Sequence, residues 1–191
     1  MRMGTAILAT ACVVWAGAAQ AAPHTIDTKK SMLTIHVGRA GAFSAFGHDH
    51  EIRAPIAAGT AETGRHPTAS LHVNSRALRV ADPDVSEKDR GEIQETMLGP
   101  KVLDSEKYPE IVFRSKSAEL HGTGHWALHG NLTLHGETHP ITVDVILKVG
   151  HYTGHATVKL SDFGIKPVGA AGGSVKVKDE IDVEFNLMLV P

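Results

Sequence analysis

Alternation with a period of two recurs along this chain and limits its fold more than any other feature. Leu33, Ile35 and Val37 alternate with Thr34 and His36, and Leu71 and Val73 with His72 and Asn74. Trp126, Leu128, Leu132 and Leu134 share one parity, with Ala127, His129, Asn131 and Thr133 on the other. Ile141, Val143, Val145 and Leu147 oppose Thr142, Asp144 and Lys148; Ala156, Val158 and Leu160 oppose His155, Thr157 and Lys159. Ile181, Val183, Phe185, Leu187 and Leu189 oppose Asp182, Glu184 and Asn186. Successive side chains of a strand point to opposite faces, so each run reads as a strand with one apolar and one wet face. Gly136-Glu137 and His121-Gly122-Thr123-Gly124 punctuate the runs. Short strands with regular turn signals indicate an all-β antiparallel sandwich or barrel.

One segment departs from this period. Ser86 with Asp89 is a capping signal before Glu87 to Leu98, and Gly99-Pro100 stops the run. Ile93 and Met97 are four apart and share a face, which predicts one amphipathic helix lying on the barrel. A further short helical turn is expected at Val102-Leu103-Asp104-Ser105. Gly169-Ala170-Ala171-Gly172-Gly173 reads as a loop between late strands. Val175 and Val177 follow it with a strand pattern rather than a helix start, which argues against a phosphate cradle.

The first residues are of another kind. Arg2 precedes an uncharged run from Ala6 to Ala19, and Ala19-Gln20-Ala21 is a small-x-small cleavage site. This predicts a signal peptide over 1–21, removed from a domain over 22–191, and a periplasmic or secreted location. The cut would also remove Cys12, the only cysteine of the 191 residues. No disulfide framework or Cys-based metal centre is then available, and the domain must rely on core burial. No later apolar run is long enough to cross a membrane. A formal net charge of -2 gives no electrostatic case for nucleic-acid binding.

Thirteen histidines raise the question of chemistry. His48 and His50, either side of Asp49, point to one side of an extended stretch and are the candidate metal ligands. A cupin-type His-x-His centre expects a Glu shortly downstream, where Ala54 and Pro55 stand instead. His121, His125, His129, His135 and His139 read as solvated surface, as do His151 and His155, while His36, His66 and His72 show no evident partner. No Gly-x-Ser-x-Gly elbow is present, and without a mature cysteine the familiar nucleophile signatures fail. No catalytic residues and no obligatory cofactor are expected. Lys166, Lys176 and Lys178 read as strand-edge charges that discourage aggregation, with contact to a ligand headgroup as the alternative if their loop borders the mouth of a barrel.

Several ordered segments resemble the YceI-like family of periplasmic polyisoprenoid-binding proteins. They are Tyr108-Pro109-Glu110-Ile111-Val112-Phe113-Arg114-Ser115, Gly130-Asn131-Leu132-Thr133-Leu134-His135-Gly136-Glu137-Thr138-His139-Pro140-Ile141, and Ser161-Asp162-Phe163-Gly164-Ile165. Val102 to Lys107 is similar to the family's approach to its Tyr-Pro-Glu motif. The early segment Phe46-Gly47-His48-Asp49-His50 departs from the family's usual Ser-x-x-Phe-x-x-x-His stretch and marks a divergent branch. The resemblance implies an eight-stranded antiparallel lipocalin-like barrel with one or two short helices packed on it. It also implies binding of an isoprenoid-tailed lipid, or quinone-type molecule, in an apolar lumen. Phe43, Phe46, Met97, Leu98, Phe113, Trp126, Leu128, Leu132, Phe163 and Ile165 are the expected lining or gating residues. The alternatives are a metal-binding protein using His48 and His50, and a filled core without ligand. A homodimer through an exposed strand face is compatible with the pattern and not required by it.

Overall fold

The alternating runs form strands. The structure, a computed structural model, describes residues 23–40, 49–148, 151–170 and 175–190. In chain order the first strands are β1 (His24–Thr25), β2 (Met32–Val37), β3 (Arg39–Ala40), β4 (His50–Ala54), β5 (Ile56–Glu62), β6 (Thr68–Asn74) and β7 (Arg79–Val80). After helix α1 (Glu87–Leu98) come β8 (Glu110–Gly122), β9 (His125–Leu134), β10 (Glu137–Lys148) and β11 (His151–Lys159). The last are β12 (Gly169–Ala170), β13 (Val175–Val177) and β14 (Glu180–Met188).

Eleven strands make one curled antiparallel sheet in the order β1-β5-β6-β8-β9-β10-β11-β14-β2-β4-β7, and β12, β13 and β3 make a small second one. The family resemblance implies eight strands, and the main sheet has eleven. Part of the excess comes from Pro55, which divides one extended run into β4 and β5 because proline has no N–H to give a central ladder. Two-residue strands β1 and β7 supply the rest. β4 pairs with β2, Ile52 opposite Ile35, whereas β5 pairs with β6, Gly59 opposite Leu71. The chain thus changes partners across Pro55. β1 lies beside the far end of β5, and Ile26 bridges to Leu189 just past β14.

Register keeps the apolar parities on one side around the curl. Phe113 stands opposite Leu132, Leu128 opposite Val143, Ala156 opposite Val183 and Val183 opposite Ile35. Two glycines on this inner parity permit close approach. A Cβ on Gly130 would lie 2.7 Å from Phe113 Cε2, and one on Gly154 would lie 2.5 Å from Phe185 Cζ. The Arg114 and Asp144 carbonyl oxygens come closer still. β8 bulges between Ser115 and Ser117, which adds local twist beside Gly130.

Helix α1 starts as its cap predicts: Ser86 Oγ accepts from the Asp89 amide at 3.2 Å and its hydroxyl donates to Asp89 Oδ2 at 2.7 Å. Gln94 fastens the helix to β7, its amide donating to the Leu78 carbonyl and its oxygen accepting from the Val80 amide, each at 2.8 Å. The expected helical turn at 102–105 is instead a pair of hydrogen-bonded turns. Asp104 has φ 41°, which a continuing right-handed helix excludes. No helix among the described residues is long and apolar enough to cross a membrane.

A 3-10 turn (Leu160–Phe163) follows β11 and is tied to the start of β14 through Asp179. Ser161 gives Asp179 its hydroxyl at 2.6 Å and its amide at 2.8 Å. The Ser161 hydroxyl is the main cause that holds the Asp179 carboxyl below the ordinary carboxylate range. A depressed carboxylate contributes stability above its unfolded titration, and that contribution is lost as pH falls through the folded one. Ser161→Ala is expected to return the Asp179 titration toward the ordinary range, as followed by carboxyl-carbon NMR, and to reduce the loss of stability below it.

Candidate ligand-binding lumen

The curl encloses a cavity of about 510 Å³. Its wall is built from inner-parity residues of successive strands: Leu33 and Ile35 of β2, Leu71 and Val73 of β6, and Ile111 and Phe113 of β8. Trp126, Leu128 and Leu132 of β9 continue it, with Ile141, Val143 and Val145 of β10, Ala156 and Val158 of β11, and Val183, Phe185 and Leu187 of β14. Glu62 is the one charged residue of the described lining, and it stands with Thr63, Gly64, Pro67 and Thr68 at the β5–β6 turn. Tyr152 adds a hydroxyl near the same end, and partial burial raises its phenol above the usual value.

The two ends of the cavity differ. At the β5–β6 and β10–β11 turns, lining residues Gly64, Thr68 and Leu147 are exposed, so the lumen opens there. At the other end the lining residues Leu78, Leu103, Leu134 and Leu160 are buried. Around that closed end pack Met97, Phe163 and Ile165, with Leu98 partly buried against the same cluster.

The expected lining residues divide accordingly. Phe113, Trp126, Leu128 and Leu132 border the cavity. Met97, Leu98, Phe163 and Ile165 do not border it and belong to the packed closed end, because strand parity does not govern a helix or a 3-10 turn. Phe43, Phe46 and His48 lie outside the described residues.

Sequence-distant segments meet at that closed end. The Tyr108 ring packs on His135 at 4.5 Å between centroids and would touch a Cβ on Gly136, at 2.6 Å from its Cε1. His135, in a turn at φ 52°, donates from Nδ1 to the Phe163 carbonyl at 3.1 Å. His139 meets the Phe163 ring edge-on at 5.1 Å. Phe163 itself is 1% exposed. These residues lock three chain segments together and leave the lumen wall to others.

Against known families, the model of the YceI-like domain matches residues 24–189. The chain belongs to the YceI-like family. A UPF0312 protein of Shewanella sp. (strain W3-18-1) is 29% identical over 175 residues, covering 84% of this chain and 86% of that one. A UPF0312 protein of Vibrio cholerae is 28% identical over 173 residues, covering 81% and 83%. The crystal structure of Burkholderia cenocepacia BcnA is similar with a TM-score of 0.65, at 18% identity, over 87% of this chain and 99% of that one. A mutant Campylobacter jejuni YCEI protein gives a TM-score of 0.51 at 15% identity, over 65% and 72%. Both structural likenesses concern the fold.

Within this YceI-like frame the Tyr108, His135-Gly136 and Phe163-Gly164 segments that carry the resemblance are the ones joined at the closed end. The histidines then sort by contact. His135 and His139 are packed against aromatic rings rather than free on the surface. His125 and His155 flank Asp144, each Nε2 3.7 Å from a carboxylate oxygen, and His121 and His129 flank Glu119 at 3.7 and 3.6 Å. These exceed hydrogen-bond length and lie on the outer face, where such pairs add little stability. His36 faces Glu184 at 3.7 Å and His72 bonds Glu110, so both have partners the sequence did not reveal. Among the described residues, no three His, Asp or Glu side chains gather as a metal site.

His50 has a different role from its neighbours. Asp82, 3% exposed, accepts from His50 Nδ1 at 2.7 Å with one oxygen and from the Glu51 amide at 2.7 Å with the other. Arg90 Nη2 donates to the Asp82 carbonyl at 2.7 Å, linking the same residue to α1. Asp82 thus joins β4 to the helix. Asp82→Ala removes both carboxylate bonds and strands the Glu51 amide. It is expected to cost about 2–4 kcal/mol in chemical denaturation, with His50→Ala costing less because the amide bond survives.

Proposed function

We propose that the chain holds the apolar tail of an isoprenoid-tailed or similar amphiphilic lipid, such as a quinone-type molecule, in the barrel lumen. It acts as a periplasmic or secreted carrier or sequestering protein, without catalysis, once residues 1–21 are removed. The observation that carries this reading is a cavity of about 510 Å³ whose wall is apolar and whose polar groups stand near its open end. That volume lies in the range of small-molecule sites, roughly 300–1,000 Å³. A hydrocarbon tail offers only CH groups, so apolar area supplies the binding energy, about 25 cal/mol per Å² buried. The headgroup would meet Glu62, Thr63, Thr68 and Tyr152.

An eight-membered ring is part of this reading. Taken as one bent strand, β4 and β5 join β2 to β6, and β8, β9, β10, β11 and β14 complete the circuit. A barrel of that size has room for one small ligand. Phe113, Trp126, Leu128 and Leu132 are the proposed tail contacts. Trp126 supplies the test. A quinone with a polyprenyl tail is expected to quench its emission saturably, and the same quinone without a tail to quench only by collision. Equal, unsaturable quenching by both would overturn the proposal.

A further inference from the structure

We propose that the open rim of the barrel docks on an anionic lipid bilayer, so that a bound tail passes between membrane and lumen without crossing water. The proposal rests on the lumen reading above. It starts from the distribution of exposed apolar side chains. Among the described residues the large ones are Met32, Leu120, Ile146, Leu147 and Val190, from 43% to 60% exposed.

All five lie at one end of the barrel. Leu120 stands opposite Trp126 near the close of β8. Ile146 is opposite both His125 and Thr153, and Thr153 is opposite Asn186, whose other partner is Met32. Val190 follows β14 at the same end, its amide donating to the Thr25 carbonyl at 2.8 Å. This is the end at which the lumen opens, since Leu147 is both exposed and part of the cavity wall. Single exposed apolar residues are ordinary, but five around one mouth and continuous with an apolar interior form an interaction surface.

Charge selects the partner. The turns and strand ends at this end carry exposed Lys29, Lys30, Arg65 and Lys148 against three acids, Asp27, Glu62 and Glu119, the last flanked by His121 and His129. Asp27 is engaged locally, accepting from the Lys29 and Lys30 amides at 3.1 and 3.3 Å and facing Lys30 Nζ at 3.6 Å. An apolar rim surrounded by an excess of cations suits the boundary between acyl chains and anionic headgroups. A second copy docked on the same rim would set like charges against each other and close both openings. A bilayer leaves the mouth in contact with lipid.

The test is flotation of the chain without residues 1–21 with vesicles of phosphatidylethanolamine and phosphatidylglycerol, or of phosphatidylcholine alone. Uptake of a polyprenyl quinone is measured separately in membrane-free solution. The chain is expected to float with the anionic vesicles and much less with the neutral ones. The double variant Met32→Asp/Ile146→Asp, on the outward parity of β2 and β10, is expected to lose at least tenfold in vesicle affinity. Neither residue borders the lumen, so quinone uptake in solution should match the parent. Lys29→Gln/Lys148→Gln should weaken binding about fivefold for each cation removed and flatten its salt dependence. No flotation by the parent, or unchanged flotation of the Asp variant, would overturn the proposal. So would a dimer dissolved by the same substitutions without vesicle binding. Flotation that persists without quinone uptake would remove the lumen reading and leave the docking in place.

Discussion

Ala156→Trp is expected to abolish lipid retention while leaving the barrel folded. Ala156 is 7% exposed and sits on the inner parity of β11, opposite Val183. It borders the cavity together with Leu128, Val143 and Val145. An indole placed there enters the space that the tail would occupy. In a filled core such an enlargement costs about 1–3 kcal/mol through forced rotamers and backbone shifts. Here the new ring has about 510 Å³ to enter, so it gains contacts instead of displacing neighbours. The expected result is a loss of at least tenfold in polyprenyl quinone affinity with unchanged far-UV circular dichroism and a thermal midpoint near the parent's. Unaltered affinity would place the ligand elsewhere.

A large loss of stability is expected from Gly154→Ala, a single added methyl. Gly154 lies on β11 between Val145 and Phe185, and its Cβ would meet Phe185 Cζ at 2.5 Å and overlap the Asp144 carbonyl oxygen. The Phe185 ring can shift, but the carbonyl belongs to the β10 backbone, so relief requires parting β10 from β11. A cost of about 3 kcal/mol is expected, which lowers Tm by about 6–12 °C in a chain of this size. Gly91→Ala is the matched control. It stands in α1 with nothing within 4 Å of its Cβ, and helix propensity favours Ala over Gly by about 1 kcal/mol. The same chemical change should therefore destabilise at one glycine and stabilise at the other.

Parity made the lumen wall legible. It placed Trp126, Leu128 and Leu132 on the inner face because they lie on a long strand, where side-chain direction follows sequence spacing, while Phe113 came with the Tyr108-to-Ser115 segment of the resemblance. It does not reach Phe163 and Ile165, which belong to or follow a 3-10 turn, or Met97, which is on a helix. It failed for His135, whose positive φ takes it out of the β9 alternation. The His135-Gly136 pair was the available signal for a tight turn. Its contacts with Tyr108 and Phe163 depend on segments more than 25 positions away in either direction, which local pattern does not reach. The strand count was hidden for a related reason. Pro55 was visible, but the change of partner from β2 to β6 is set by register across the whole sheet. Asp82, buried under His50, looked like one acid among several before the helix. The volume of the lumen was not legible at all, since alternating residues build a packed interior or an open one with equal ease.

The most direct measurement is mass spectrometry of lipids extracted from the chain purified without detergent, beside Ala156→Trp prepared identically. The account predicts a polyprenyl-tailed species in near-stoichiometric amount from the parent and its absence from the variant. A parent that carries no such lipid and takes none up when offered it, or a variant that retains as much as the parent, would contradict the assignment of the lumen as the binding site.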